Sequence, residues 1–242
     1  MIWAVLSLAL GGILKGATGA GAPVVAIPVL ALFYGVEFAV TTLMVSNLVS
    51  NIVQGWAYRA DVLPARFTAR FALAGLLGAA LGTWALARLP AEALELAVAG
   101  MVVLYIAFRV ARPGWRLGMG WGERLAAPAG LMGGVMQGAA GISAPISLTF
   151  LNALGLERRV FVGTISVFFV AMSLSQIPAL VGLGIMTWER FWISCGAFVV
   201  ILGFMPVGNW LGKRVSKDTF DRLTLVLLAA IAAKIIHGAL AG

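Results

Sequence analysis

Apolar residues fill this chain in long runs, and polar residues gather at run ends or at a few glycine-rich interruptions. Six runs, at 37–57, 67–87, 91–110, 159–183, 189–210 and 220–240, come close to the ~20 residues a helix needs to cross a bilayer. Four others, at 1–14, 22–34, 124–137 and 144–155, are shorter. A fourteen-residue helix at ~1.5 Å per residue reaches about 21 Å, short of a ~30 Å hydrocarbon core. Glycines divide each short pair. The pattern therefore predicts two helical hairpins that dip into the membrane, over 1–34 and 124–155, each followed by three spans.

The glycine breaks repeat. Gly11, Gly12, Gly16, Ala17, Gly19, Ala22 and Pro23 match Gly133, Gly134, Gly138, Ala139, Gly141, Ala144 and Pro145, with Lys15 opposite Gln137. Further on, Gly78 and Gly82 in the first half correspond to Gly208 and Gly212 in the second; both pairs have the four-residue spacing that lets helices approach closely in lipid. Irregular backbone at membrane depth survives only where protein buries it or water reaches it. A matched pair of glycine- and proline-interrupted segments points to a transporter's binding site.

Composition narrows the class. Of 242 residues 62% are hydrophobic, and the mean hydropathy is +1.02, which no water-soluble domain sustains. The net charge of +8 sits mostly at run ends, where it sets membrane orientation and carries no signature of nucleic-acid binding. Arg59, Arg66 and Arg70 place one loop in the cytoplasm; Arg109, Arg112, Arg116 and Arg124 do so for the central linker, and Lys213, Arg214, Lys217 and Arg222 for the last loop. Arg88 to Glu92 and Glu189-Arg190 lack such a bias and fall outside. Met1-Ile-Trp carries no positive charge, so Ala20-Gly-Ala22 is read as structure and not as a cleavage site. The expected architecture is an all-α polytopic bundle of two inverted repeats. Repeat 1 covers 1–115 and repeat 2 covers 116–242, each a re-entrant hairpin plus three transmembrane helices, with both termini external to the inner membrane.

Candidate chemistry is sparse. Cys195 is the single cysteine and His237 the single histidine, so neither a disulfide nor a metal or haem site is expected, and no cofactor. The acids lie near run ends, which argues against an intramembrane enzyme. The hairpin turns are expected at Gly16–Gly21 and Gly138–Ser143, with Pro23 and Pro145 opening outgoing half-helices whose N-terminal ends converge on an anion. Lys15, at depth, supplies charge to that anion or else snorkels to an interface. Gly16, Thr18, Gly19, Gly21, Gly138, Gly141 and Ser143 are candidate backbone or hydroxyl donors, with Gln137 beside them. Asn47, Asn51 and Gln54 share one helical face and are candidates to line a cavity, as are Ser166, Ser173 and Gln176 in the other half. Pro178 and Pro206 are expected to interrupt the helical ladders of their spans.

The duplicated hairpins, Gly16 to Pro23 and Gly138 to Pro145, together with the Gly78/Gly82 and Gly208/Gly212 pairs, resemble the TauE/SafE family of sulfite-exporter-like permeases over essentially the whole chain. The resemblance implies a secondary carrier for sulfite, a sulfonate or another small sulfur-containing or organic anion, working by alternating access. A passive anion channel and a non-transporting membrane partner protein are the alternative readings. The expected partners are a small anion and the bilayer; a homodimer and proton coupling are left open.

Overall fold

The structure, a computed structural model, describes residues 2–18, 22–111, 115–212 and 214, with Val226, Ala229 and Ala233 farther on. Every regular element among the described residues is helical: α1 (Ile2–Thr18), α2 (Ala22–Tyr34), α3 (Val36–Thr42), α4 (Met44–Ala57), α5 (Ala65–Leu86), α6 (Ala91–Ala111), α7 (Met119–Ala140), α8 (Ser147–Ala153), α9 (Arg158–Gly182) and α10 (Trp188–Leu211). Five stretches are long and apolar enough to cross a bilayer: Val36–Ala57, Ala65–Leu86, Ala91–Phe108, Arg158–Gly182 and Trp188–Leu211. They match five of the expected spans within a few residues. The sixth, 220–240, lies outside the described residues except at the three positions named, as do Gly19, Gly21, Arg112, Lys213, Lys217, Arg222, Lys234 and His237. The protein is an all-helical integral membrane protein.

Exposure follows lipid contact. On α5, Leu73, Leu77 and Leu81 face outward at four-residue intervals, while Phe71, Gly75, Gly78, Ala79 and Gly82 are buried. Trp56, Trp84, Trp188 and Trp210 are exposed at or near helix ends, as a tryptophan belt requires. Arg59, Arg88 and Arg214 lie over the rings of Trp56, Trp84 and Trp210 at 4.7, 5.5 and 4.2 Å, within reach of cation–π attraction.

The chain forms two compact units. Unit 1 comprises 1–46, 89–107 and 187–242, and unit 2 comprises 47–88 and 108–186, so each draws helices from both halves of the sequence. In unit 1, α1 lies against α10. A Cβ on Gly12 would stand 2.5 Å from the Ile201 carbonyl oxygen, one on Gly16 would collide with the Met205 carbonyl, and one on Gly208 with that of Ile13. Hairpin partner α2 folds back on α1, with Ala22 and Ala26 beside Gly11. In unit 2 the same device joins α7 to α5. Gly134 and Gly138 rest on the carbonyls of Gly75 and Ala79, and Gly78 and Gly82 on those of Leu131 and Val135. Helix α9 covers the other side of α5 through Phe168, whose ring occupies the space beside Gly75 and stacks on Phe71 at 4.0 Å.

Three features depart from expectation. The span 37–57 is broken at Leu43, between α3 and α4. The Thr41 hydroxyl folds back onto the carbonyls of Glu37 and Phe38, and Ser194 of α10 fills the gap, donating to the Thr42 carbonyl at 2.9 Å and accepting from the Val45 N–H at 3.0 Å. A Ser194→Ala exchange leaves both backbone groups without that partner. The expected loss is about 1–3 kcal/mol, read by thermal unfolding in detergent.

The second hairpin is lopsided. Helix α7 has 22 residues, about 33 Å at ~1.5 Å each, whereas α8 has 7. Helix α7 begins at Met119, earlier than the apolar run from 124, so its first turn takes in Gly120 and Gly122. Proline is absorbed too: α9 and α10 continue past Pro178 and Pro206.

The turns also move. Gly16 and Gly138 sit inside α1 and α7, so their amides belong to helical ladders and their bare Cα atoms serve packing; the expectation that they donate to an anion is corrected accordingly. Gly141, at φ 71°, ends α7 as a left-handed cap and gives its N–H to the Gln137 carbonyl at 2.8 Å, so its amide is committed too.

Candidate functional site

Unit 2 concentrates orphaned polar atoms. Asn47 Nδ2, Asn51 Oδ1, Gln54 Oε1, Gln137 Oε1, Ser143 Oγ, Ser166 Oγ and Gln176 Oε1 are all enclosed without a hydrogen-bond partner. Each such group costs about 1–3 kcal/mol. Buried polar groups of this kind are ordinarily met by water or by a ligand.

Three helices carry the groups. On α4, Asn51 Nδ2 donates to the Asn47 carbonyl at 2.6 Å and to Asn47 Oδ1 at 2.9 Å. Those bonds orient both amides and leave the Asn47 amino group as a donor and Asn51 Oδ1 as an acceptor. The start of α9 meets the end of α4 and the loop that follows it. Arg159 binds Asp61 at 3.0 Å, Thr164 accepts the Leu63 N–H at 3.0 Å, and Gly55 faces Ser166. On α4, Asn51 and Asn47 lie one and two turns before Gly55, and on α9, Ser173 and Gln176 lie two and three turns after Ser166. Gln176 then meets α7, donating Nε2 to the Gln137 carbonyl at 3.2 Å. The Ser173 hydroxyl is spent on the Phe169 carbonyl at 2.9 Å.

The loop after α7 brings in Ser143. Its carbonyl receives the Ile146 and Ser147 amides and the Ser147 hydroxyl, while its own hydroxyl stays unpartnered. Pro145 lies in this turn, two residues ahead of α8. Two turns of helix hold little macrodipole, so the dominant field at this elbow is the negative C-terminal end of α7. That is the opposite sign to the convergent helix N-termini expected from the sequence.

Unit 1 holds the charge. Lys15, in the last turn of α1, is only 3% exposed. No carboxylate or hydrogen-bond acceptor accompanies its ammonium among the described residues. The C-terminal end of α1 offers it roughly half a countercharge. Thr18, one turn on, donates its hydroxyl to the Leu14 carbonyl at 2.8 Å. Pro23 stands in the first turn of α2, as expected.

Among the described residues no group of three histidine, cysteine or acidic side chains is placed to hold a metal. Of the expected site residues, the structure thus gives Lys15, Asn47, Asn51, Gln137, Ser143, Ser166 and Gln176 buried positions, and all but Lys15 carry enclosed, unpartnered atoms. Gln54 joins them, and the face it shares with Asn47 and Asn51 was the signal for it.

A family model, sulfite exporter TauE/SafE, matches residues 4–235. The chain belongs to the TauE/SafE family. Neither a curated protein nor a solved structure matches it. TauE/SafE proteins are membrane permeases, and the five apolar, membrane-length helices described above fit one.

Proposed function

We propose that this TauE/SafE permease is a secondary transporter that carries a small oxyanion, sulfite or a sulfonate, across the inner membrane by alternating access. The observation that carries the reading is Lys15. A buried ammonium without a countercharge is costly to keep at membrane depth, and a monoanion is the guest that neutralises it. Unit 2, taken by itself, also encloses unpartnered donors of the kind an oxyanion accepts, at Asn47 Nδ2, Ser143 and Ser166. The inverted-repeat organisation, repeat 1 over 1–115 and repeat 2 over 116–242 with both termini external, belongs to this proposal. It is supported by the loop charges and by the use of matched glycines, Gly12/Gly16 and Gly134/Gly138, for the same packing task.

The test is flux into proteoliposomes with sulfite, sulfate, thiosulfate, sulfonates and carboxylates in turn. Saturable uptake of a sulfur oxyanion with counterflow is expected. Flux that rises linearly with concentration and shows no counterflow identifies a channel, and no flux of any anion overturns the transport reading.

A further inference from the structure

Gln137 holds, in the second glycine repeat, the place that Lys15 holds in the first. Both lie in the last turns of the first hairpin helix, and both are buried, at 3% exposure for Lys15 and 1% for Gln137. A helix C-terminus is a negative pole. In α1 the chain supplies its own cation there. In α7 it supplies none, since the last turn carries no basic residue.

The α7 terminus is instead rich in unsatisfied oxygen. Gln137 Oε1 and Gln176 Oε1 are both unpartnered, and Gln176 is wholly buried. The bond from Gln176 Nε2 to the Gln137 carbonyl fixes the Gln176 carboxamide against this last turn. The loop that follows sends one N–H back, from Gly141 to Gln137; no backbone N–H from it reaches the carbonyls of Gly138, Ala139 or Ala140, whose residues are buried. Two side-chain oxygens and a frayed carbonyl end, away from water, want a hard cation or a strong donor.

The set also restricts the charge of the guest. The carboxylates of unit 2 are Asp61, Glu123 and Glu157. Glu123 stands fourteen residues up α7, about 21 Å away, and Asp61 is tied to Arg159 at the far end of α9. With neutral oxygens only, the site does not repay the dehydration of a divalent ion. Amides and carbonyls do not titrate, so a bare proton finds no base among them.

We propose that unit 2 binds a monovalent metal cation, of the sodium class, at the C-terminal end of α7, held by the carboxamide oxygens of Gln137 and Gln176 and by free carbonyls of the last turn. The cation does in unit 2 what the Lys15 ammonium does in unit 1. Only its role as a co-ion rests on the transport reading; its binding does not.

Thermal unfolding of the full chain in detergent, without any added transport substrate, tests the site. NaCl or KCl is compared with N-methyl-D-glucamine chloride at equal ionic strength. Sodium or potassium at about ten times its dissociation constant should raise the wild-type midpoint by about 3 °C. Gln176→Met should abolish that increment, Gln176→Glu should restore and enlarge it, and Gln137→Lys should abolish the ion dependence while keeping the midpoint high, because the tethered ammonium takes the ion's place. A wild-type midpoint indifferent to both ions overturns the proposal. So does a full ion increment in both Gln176→Met and Gln137→Lys. Sulfite flux under a sulfite gradient alone, measured separately, reports on the transport reading.

Discussion

Replacing Lys15 by methionine is expected to cut anion flux at subsaturating concentration by at least about thirtyfold while leaving the protein as stable as before or more so. The two halves of that expectation come from one fact. The ammonium is buried and no acceptor among the described residues meets it, so in the empty protein it is a burden: its desolvation is not returned. Methionine fills nearly the same volume without the charge, and relief of the burden is worth on the order of 1 kcal/mol or more. When the anion is present the sign reverses. Losing one member of a desolvated charge pair costs about 2–5 kcal/mol, the lower bound of which is the thirtyfold. Arginine at the same position keeps the charge but needs more room in a helix whose neighbours Gly12 and Gly16 are pressed on α10, so flux should recover only in part. Unchanged flux in Lys15→Met would remove the residue from the binding role, and a large fall in the unfolding midpoint would show that Lys15 is structural.

The second large effect concerns the seams. On α10, Gly203 and Gly208 are one helical turn and a residue apart, yet they should answer alanine in opposite directions. A Cβ at Gly203 meets nothing within 4 Å, and there alanine gains up to about 1 kcal/mol of helix propensity. A Cβ at Gly208 runs into the Ile13 carbonyl of α1, which is backbone and cannot swing aside. Overpacking of that kind costs about 1–3 kcal/mol, and the rigid neighbour puts the expectation at the upper end. Gly138→Ala in unit 2, against the Ala79 carbonyl, should behave like Gly208→Ala. Unfolding midpoints of the three variants in one detergent provide the comparison; equal midpoints for Gly203→Ala and Gly208→Ala would deny the seam.

How much of this is legible in the sequence depends on what each signal measures. Runs of apolar residues measure bilayer thickness, and α5, α9 and α10 begin and end within two residues of the runs that announced them. Glycine is ambiguous, because the same residue serves a turn in water and a seam in lipid. Reading Gly16 and Gly138 as turn residues overlooked that Gly12 and Gly16, and Gly134 and Gly138, have the four-residue spacing already recognised in Gly78/Gly82 and Gly208/Gly212. The seam partners were therefore visible as spacings, although which helix each would meet was not. The break at Leu43 carries no proline or glycine and depends on Ser194, about 150 positions away in sequence. For the candidate site, polarity at depth was sufficient to find Lys15, Asn47, Asn51, Gln137 and Gln176. The sign of the field at the second elbow was not, since it turns on α8 being two turns long and α7 six.

The swapped seams also set an order of events during synthesis. The grooved surfaces of α5 and α7 are separated by roughly fifty-five residues of chain, those of α1 and α10 by roughly two hundred, a difference of about 1 kcal/mol in closure entropy. The α5–α7 clasp can shut while the ribosome is still translating, whereas the glycine furrow of α1 must wait open until α10 arrives. A newborn chain of this protein therefore passes through a stage in which the Gly12/Gly16 face of α1 is uncovered, and that is the stage at which a membrane chaperone has something to hold.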